Sequence, residues 1–233
     1  MAERTKRRRF SAATLCGMLG CICFGSGDWL MIYGDTASHA GLYWLTEGVA
    51  RIPIWRNTLA MALSFPGIVF YGIGLFSFAA CIRQERERKI YCGLHVFGLT
   101  PWIALHLLYI MILYLFAWMN GNGYAGAAIP TSEALFNHFS WVVIVSEAIM
   151  LPPYIYWFWL VATGKTILPR AMALANPLLF YAALSGVKLC LPEGAFRIGF
   201  TNALMSESMI LWFLCLLIAV NGQHRHKHEI GVD

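Results

Sequence analysis

The chain has 233 residues, of which 59% are hydrophobic and 12% are Asp, Glu, Lys or Arg, about half the charged fraction of a soluble domain. This balance excludes a soluble globular protein, and a mean hydropathy of +0.61 excludes a disordered or collagen-like chain. The net charge of +5 comes from short basic runs between apolar segments, which predicts a fixed orientation in a membrane and no nucleic-acid binding.

Six apolar stretches are long enough to cross a hydrocarbon core about 30 Å thick, which requires about 20 helical residues. In chain order they cover residues 10–34, 57–82, 90–120, 134–164, 171–191 and 198–220. The sequence therefore predicts an all-α integral membrane protein, with a single six-transmembrane-helix bundle over residues 1–233. Residues 1–9 form a basic N-terminal segment, and residues 221–233 form a tail rich in histidine and basic residues.

Lysine and arginine are distributed unevenly between the two sides of this bundle. If the N-terminus lies inside, 13 of them lie on the inner side and three lie in the outer loops, at Arg51, Arg56 and Arg197. The positive-inside rule therefore predicts that both termini lie in the cytoplasm. The expected location is the plasma (cytoplasmic) membrane.

The segment between the first two spans has the pattern of a short helix at the membrane surface. Glu47 and Arg51 are spaced i, i+4, as in a helical ion pair, among apolar residues. This spacing predicts an interfacial helix over residues 40–50 that ends near Pro53. The helix is either a strut on the membrane surface or a lid, including Glu47 and Arg51, over an opening toward the outside.

Ionisable side chains inside the spans predict a functional site, because a charge at membrane depth costs several kcal/mol unless it faces a partner or a cavity. Counted at about 1.5 Å per residue from the basic ends of their spans, four ionisable groups lie about 26–27 Å deep, and two polar groups border them. These are Asp28, His106, Glu147 and Lys188, bordered by Asn202 and Glu207. The shared depth predicts one polar cavity that opens toward the outer leaflet. The alternative is interhelical pairing, with Lys188 bound to Asp28 or Glu147.

Such a cavity suits an amphipathic small molecule or a lipid as its ligand. In this hypothesis Trp102 and Tyr109 hold the apolar part of the ligand, while His106 and Glu147 act as acid and base on its polar end. The other polar groups bind and orient that end: Asp28, Lys188, Asn202 and Glu207. Whether the protein is an enzyme stays open, because the sequence contains no recognised catalytic motif.

A second hypothesis uses the same ionisable groups as proton carriers in a small secondary transporter. Four prolines would serve as hinges in the spans: Pro66, Pro101, Pro152 and Pro177. The absence of an internal repeat counts against this hypothesis, since many transporters duplicate a half.

No cofactor or metal site is predicted. A catalytic zinc ion takes about three His or carboxylate ligands, and only His106 with Asp28 and Glu147 could supply them. The seven cysteines are an odd number placed mostly in apolar stretches, so a disulfide framework is not expected. The expected partners are membrane lipids and the amphipathic ligand, and the aromatic surface permits a homodimer.

Scattered residues along the chain resemble the layout of a known family. They are Gly27-Asp28-Trp29 near the end of the first span, Arg51 and Arg56 before the second, and the intramembrane His106 and Glu147. This layout resembles an uncharacterised family of six-pass bacterial membrane proteins, over most of the chain. The resemblance implies a six-helix fold and, because that family has no established activity, no particular chemistry.

Overall fold

The computed structural model describes residues 2–34 and 45–229, with side chains over residues 8–34 and 45–222. Within these ranges the chain is built from helices. They are α1 (Ala2–Ile32), α2 (Glu47–Ala50), α3 (Ile54–Ser77), α4 (Glu85–Gly121), α5 (Ala125–Ala162), α6 (Pro177–Cys190) and α7 (Ala195–Glu229). Short 3-10 turns at Phe78–Cys81 and Arg170–Ala173 lie in the connections after α3 and α5.

Five of the helices, α1, α3, α4, α5 and α7, are long and apolar enough to cross a membrane. The sixth predicted span, over residues 171–191, is not confirmed by this criterion. Its helix, α6, has 14 residues, which extend about 21 Å and fall short of a 30 Å core. The apolar stretch begins earlier, but Asn176 caps the helix by accepting a hydrogen bond from the Leu178 N–H, and Pro177 fixes the first turn.

The direction of each long helix follows from its contacts. Helices α3 and α7 are antiparallel to α1, α4 is antiparallel to α3, and α5 is antiparallel to α4. Consequently α5 and α7 run in the same direction. The connection between them, residues 163–194 with α6 inside it, therefore joins opposite ends of the bundle.

After the end of α5, the connection first turns back toward the bundle. An isolated β-bridge pairs Ile82 with Thr166, and the Asn176 amide donates to the Tyr154 carbonyl over 3.0 Å. Tyr154 lies eight residues before the end of α5, about 12 Å along the helix axis. Helix α6 begins at this level, and its 14 residues extend about 21 Å from there toward the start of α7.

The predicted interfacial helix over residues 40–50 is not confirmed. The described part contains one helical turn, Glu47–Ala50, whose Val49 N–H donates to the Thr46 hydroxyl; residues 40–44 lie outside the described ranges. The predicted ion pair between Glu47 and Arg51 is present at 3.0 Å and is exposed to solvent. Val49 is buried and anchors this turn against α4.

Helices α1 and α3 approach so closely that their backbones touch. A Cβ on Gly20 would lie 2.3 Å from the Tyr71 nitrogen, and a Cβ on Gly74 would lie 2.3 Å from the Gly17 Cα. Both distances are shorter than van der Waals contact, so only glycine fits at these positions. Small residues of this kind allow helices to associate in lipid, where apolar burial adds little.

We expect Gly20→Ala to destabilise the protein by about 1–3 kcal/mol, because the added methyl group overpacks a backbone contact. Gly93→Ala is the matched control, since a Cβ on this α4 glycine meets nothing within 4 Å. The control should keep or raise stability by about 0.5–1 kcal/mol, because alanine favours helix. Unfolding of the purified variants in detergent measures both effects, and equal stability of the two would contradict the close packing.

Candidate functional site

An ionisable pair joins α1 to α4 inside the bundle. The Nδ1 atom of His106 lies 3.4 Å from Oδ1 of Asp28, and the two side chains are 8% and 16% exposed. An N–H at Nδ1 can donate to the carboxylate whether the imidazole is neutral or protonated. Nε2 is therefore the atom at which His106 gains or loses a proton.

The position of His106 depends on the absence of a side chain at Gly27. A Cβ there would lie 2.9 Å from Nε2 and 3.3 Å from Cε1 of the imidazole. The ring of Phe24 meets the imidazole edge to face, with centroids 5.1 Å apart. His106 is thus packed on two sides, while its buried Nε2 has no hydrogen-bond partner among the described residues.

Helix α7 completes the surroundings of Asp28. The Ser206 hydroxyl donates to Oδ2 of Asp28 over 3.1 Å, and the Asn202 amide donates to the Asp28 backbone carbonyl over 3.0 Å. Asn202 and Ser206 are spaced i, i+4 and so share one face of α7. Ser206 bonds to the carboxylate and not to the imidazole, an arrangement that differs from a serine activated by histidine.

A second carboxylate lies beside this pair. Oε1 of Glu207 accepts a hydrogen bond from the Trp29 indole N–H over 3.2 Å, while its buried Oε2 has no partner among the described residues. Trp29 is held by close packing on Gly199, where a Cβ would lie 2.5 Å from the indole ring. We call the five residues Asp28, His106, Asn202, Ser206 and Glu207 the Asp28–His106 cluster.

Arg56 fixes the end of α1 from which Asp28 and Trp29 project. Its guanidinium donates to the backbone carbonyls of Trp29 over 3.2 Å and of Tyr33 over 2.9 Å. The Trp29 carbonyl belongs to the last turn of α1 and the Tyr33 carbonyl lies one residue beyond the helix, where a cation is favoured by the helix dipole. Arg56 is therefore engaged with the backbone, and the sequence pattern gave no sign of this role.

The two predicted aromatic ligand contacts lie in different surroundings. Trp102 packs on Phe24 with centroids 5.6 Å apart, which places it beside the cluster. Its indole N–H donates to the Tyr154 hydroxyl, which pairs with the Tyr71 hydroxyl at 2.7 Å. Tyr109, three residues after His106 on α4, instead packs against Phe136 of α5, in a separate hydrophobic cluster.

The structure does not bring Glu147 and Lys188 into the cluster. Glu147 is exposed on α5 and Lys188 is half-buried on α6, and neither forms a hydrogen bond or ion pair with Asp28 or His106. Counting residues along the span gave the level of Glu147 on α5. It did not give the direction of the side chain around the helix axis, which changes by about 100° per residue. At this turn the buried side chain belongs to the preceding residue, Ser146.

Among the described residues, no group of three or more His, Cys, Asp or Glu side chains is arranged to hold a metal ion. The arrangement instead offers hydrogen-bond acceptors. Nε2 of His106 accepts when the ring is neutral, and Oε2 of Glu207 accepts when the carboxyl group is ionised.

We expect Asp28→Asn and His106→Gln to show a coupling energy of about 0.5–3 kcal/mol in a double-mutant cycle of unfolding, because the two groups are in contact. The control cycle pairs Asp28→Asn with Glu147→Gln. Since Glu147 is exposed on another helix, those effects should add within about 0.5 kcal/mol. Coupling of equal size in both cycles would refute the placement of Glu147.

The family of the chain was established by comparison with known proteins. Residues 2–223 match the family described as "Family of unknown function (DUF6796)". No similar curated protein and no similar solved structure was found. The match includes all of the helices that build the Asp28–His106 cluster, and it confirms the expected relationship to an uncharacterised family. The chain belongs to the family of unknown function DUF6796.

Proposed function

We propose that this protein binds the polar end of an amphipathic small molecule or lipid at the Asp28–His106 cluster. The observation that carries the proposal is the unused hydrogen-bonding capacity of two buried atoms, Nε2 of His106 and Oε2 of Glu207. An unsatisfied buried polar atom costs about 1–3 kcal/mol, and a ligand that donates hydrogen bonds would recover that cost. Ionisable groups in membrane spans commonly mark such sites.

The charges of the cluster favour a ligand whose polar end carries hydroxyl or amino groups. Two carboxylates, Asp28 and Glu207, lie close together, and Arg56 at the end of α1 already donates to backbone carbonyls. A phosphate or carboxylate would meet like charges at this place. The geometry supports proton exchange with the ligand at Nε2 of His106, where the ring is free to accept.

We further propose that the chain crosses the plasma membrane six times, with both termini in the cytoplasm. Helices α5 and α7 run in the same direction, so the intervening connection must cross from one end of the bundle to the other. In this topology, two parts of the connection make that crossing together: the turn back toward the bundle at Thr166, and helix α6. The basic bias of 13 residues to three supports a cytoplasmic location for the end with Glu87 and Lys165.

The ligand would enter from the outer leaflet between α5 and α6. These helices meet where Asn176 donates to the Tyr154 carbonyl, and otherwise α5 packs mainly on α4 while α6 packs mainly on α7. Glu147 and Lys188 lie on the two helices that border this route. We place them at the entrance, where each can contact a lipid head group, and not at the reacting end.

The segment with Glu47 and Arg51 would cover the outer end of this route. Leu45 and Val49 pack in the same hydrophobic cluster as Ile110 of α4, one turn beyond His106. The exposed ion pair between Glu47 and Arg51 lies on the other side of α2. The cover is therefore attached by apolar contacts, with its charges directed away from the bundle.

Mass spectrometry of the gently purified protein tests the proposal. We expect a lipid-like species to be retained by the wild type and lost from Asp28→Asn and His106→Gln, because both substitutions change the buried pair. Glu147→Gln is the matched control for loss of a carboxylate and should retain the ligand. Wild-type protein that carries no ligand, or His106→Gln protein that keeps the wild-type amount, would contradict ligand binding at the cluster.

A further inference from the structure

One face of α4 carries groups that can hold or pass protons. It presents Glu87, Tyr91, His95 and His106, which are 6%, 0%, 2% and 8% exposed. At about 100° per residue these positions fall within a sector of about 100° on the helix. From Glu87 to His106 the helix rises about 28 Å, close to the thickness of the hydrocarbon core.

His95 repeats the arrangement of His106 closer to the cytoplasmic end. Its Nδ1 lies 2.9 Å from the Tyr91 carbonyl, and because a carbonyl only accepts, Nδ1 carries the proton. Nε2 is then the basic atom, and it is buried without a partner among the described residues. A leucine would fill this position at lower cost, so packing alone does not explain a histidine here.

Hydroxyl groups lie at the level of His95 and between the two histidines along the bundle. The α4–α5 register, with Gly98 against Pro153 and Glu87 bonded to Lys165 over 2.7 Å, places Tyr156 level with His95. The buried Tyr156 hydroxyl has no hydrogen-bond partner among the described residues and interacts electrostatically with Glu87. Tyr156 is therefore level with His95, and its hydroxyl lies within electrostatic range of Glu87.

The second link lies between the two histidines. The hydroxyls of Tyr71 and Tyr154 are 2.7 Å apart, and the Trp102 indole N–H donates to Tyr154 over 3.3 Å. Trp102 is one turn from His106 on α4 and seven residues from His95. The hydroxyl pair thus divides the distance of about 16 Å between the imidazoles.

We propose that the interior face of α4 is a proton path between Glu87 at the cytoplasmic end and the Asp28–His106 cluster. The groups along the path are Tyr156, His95 and the Tyr71–Tyr154 hydroxyl pair, and water molecules carry the proton across the gaps between these groups. At each histidine, Nε2 of the neutral ring accepts a proton to give an imidazolium, which releases the same proton onward from Nε2. No group is oxidised or reduced, and one proton moves per passage.

Proton flux into proteoliposomes tests this path. The purified full-length protein is reconstituted with a pH-sensitive dye inside, and a potassium gradient with valinomycin drives proton entry. We expect the wild type to acidify the lumen faster than protein-free vesicles do. His95→Gln and His106→Gln should each reduce the flux to the protein-free rate. His138→Gln is the matched control, because His138 is exposed on α5, and it should keep the wild-type rate.

A third substitution covers the case in which a histidine variant fails to fold. Tyr156→Phe removes a single oxygen that has no partner among the described residues, so the fold should be retained while the flux falls. Wild-type flux equal to that of protein-free vesicles would overturn the path. So would wild-type flux in folded His95→Gln or in Tyr156→Phe.

The path does not depend on the proposed ligand, and the two can fail separately. His95 lies outside the Asp28–His106 cluster, so His95→Gln should lose proton flux and keep any retained ligand. Protein that conducts protons but carries no ligand would remove the binding proposal alone. Protein that carries a ligand, loses it in His106→Gln and conducts no protons would remove the path alone.

Discussion

The arrangement of this bundle depends on glycines that let three helices approach the backbone of α1. Gly17 and Gly20 contact α3, Gly25 faces Ser206 of α7, and Gly27 receives the imidazole of His106 from α4. In lipid, where apolar side chains gain little by leaving their surroundings, such close van der Waals contact provides much of the association energy. Asp28 follows the last of these glycines, so the polar cluster is centred where the helices already converge.

The polar groups in the interior differ in how completely they are bonded. Both carboxylate oxygens of Asp28 have partners, whereas His95, His106 and Glu207 each have one bonded and one unbonded polar atom. The other buried unpartnered atoms among the described side chains belong to Asn57, Ser132, Tyr156, Trp157 and Trp212, so they include donors and acceptors that do not titrate. What distinguishes His95, His106 and Glu207 is that each unbonded atom can take up a proton.

Hydropathy was sufficient to predict five of the six expected spans as long apolar helices. Counting residues placed Asp28 and His106 at one level, and the structure joins them. The same count could not give the direction of Glu147, because a neighbouring position on the same turn faces inward. The predicted span was longer than α6, because hydropathy does not register that proline is excluded from a helix interior. The helix begins at Pro177. The role of Gly27 also has no sequence signal, because it follows from a tertiary contact with His106.

The short length of α6 has a consequence for how the protein is made. A 14-residue apolar helix gains less by partitioning into lipid than a full span of about 20 residues. It packs on α7, which follows after a short turn and is a strongly apolar helix. On the proposed six-crossing topology, we expect α6 to enter the bilayer only together with α7, as a hairpin. Truncation of the chain before α7 should then leave α6 outside the membrane, so that α6 and α7 would form a single unit of biogenesis.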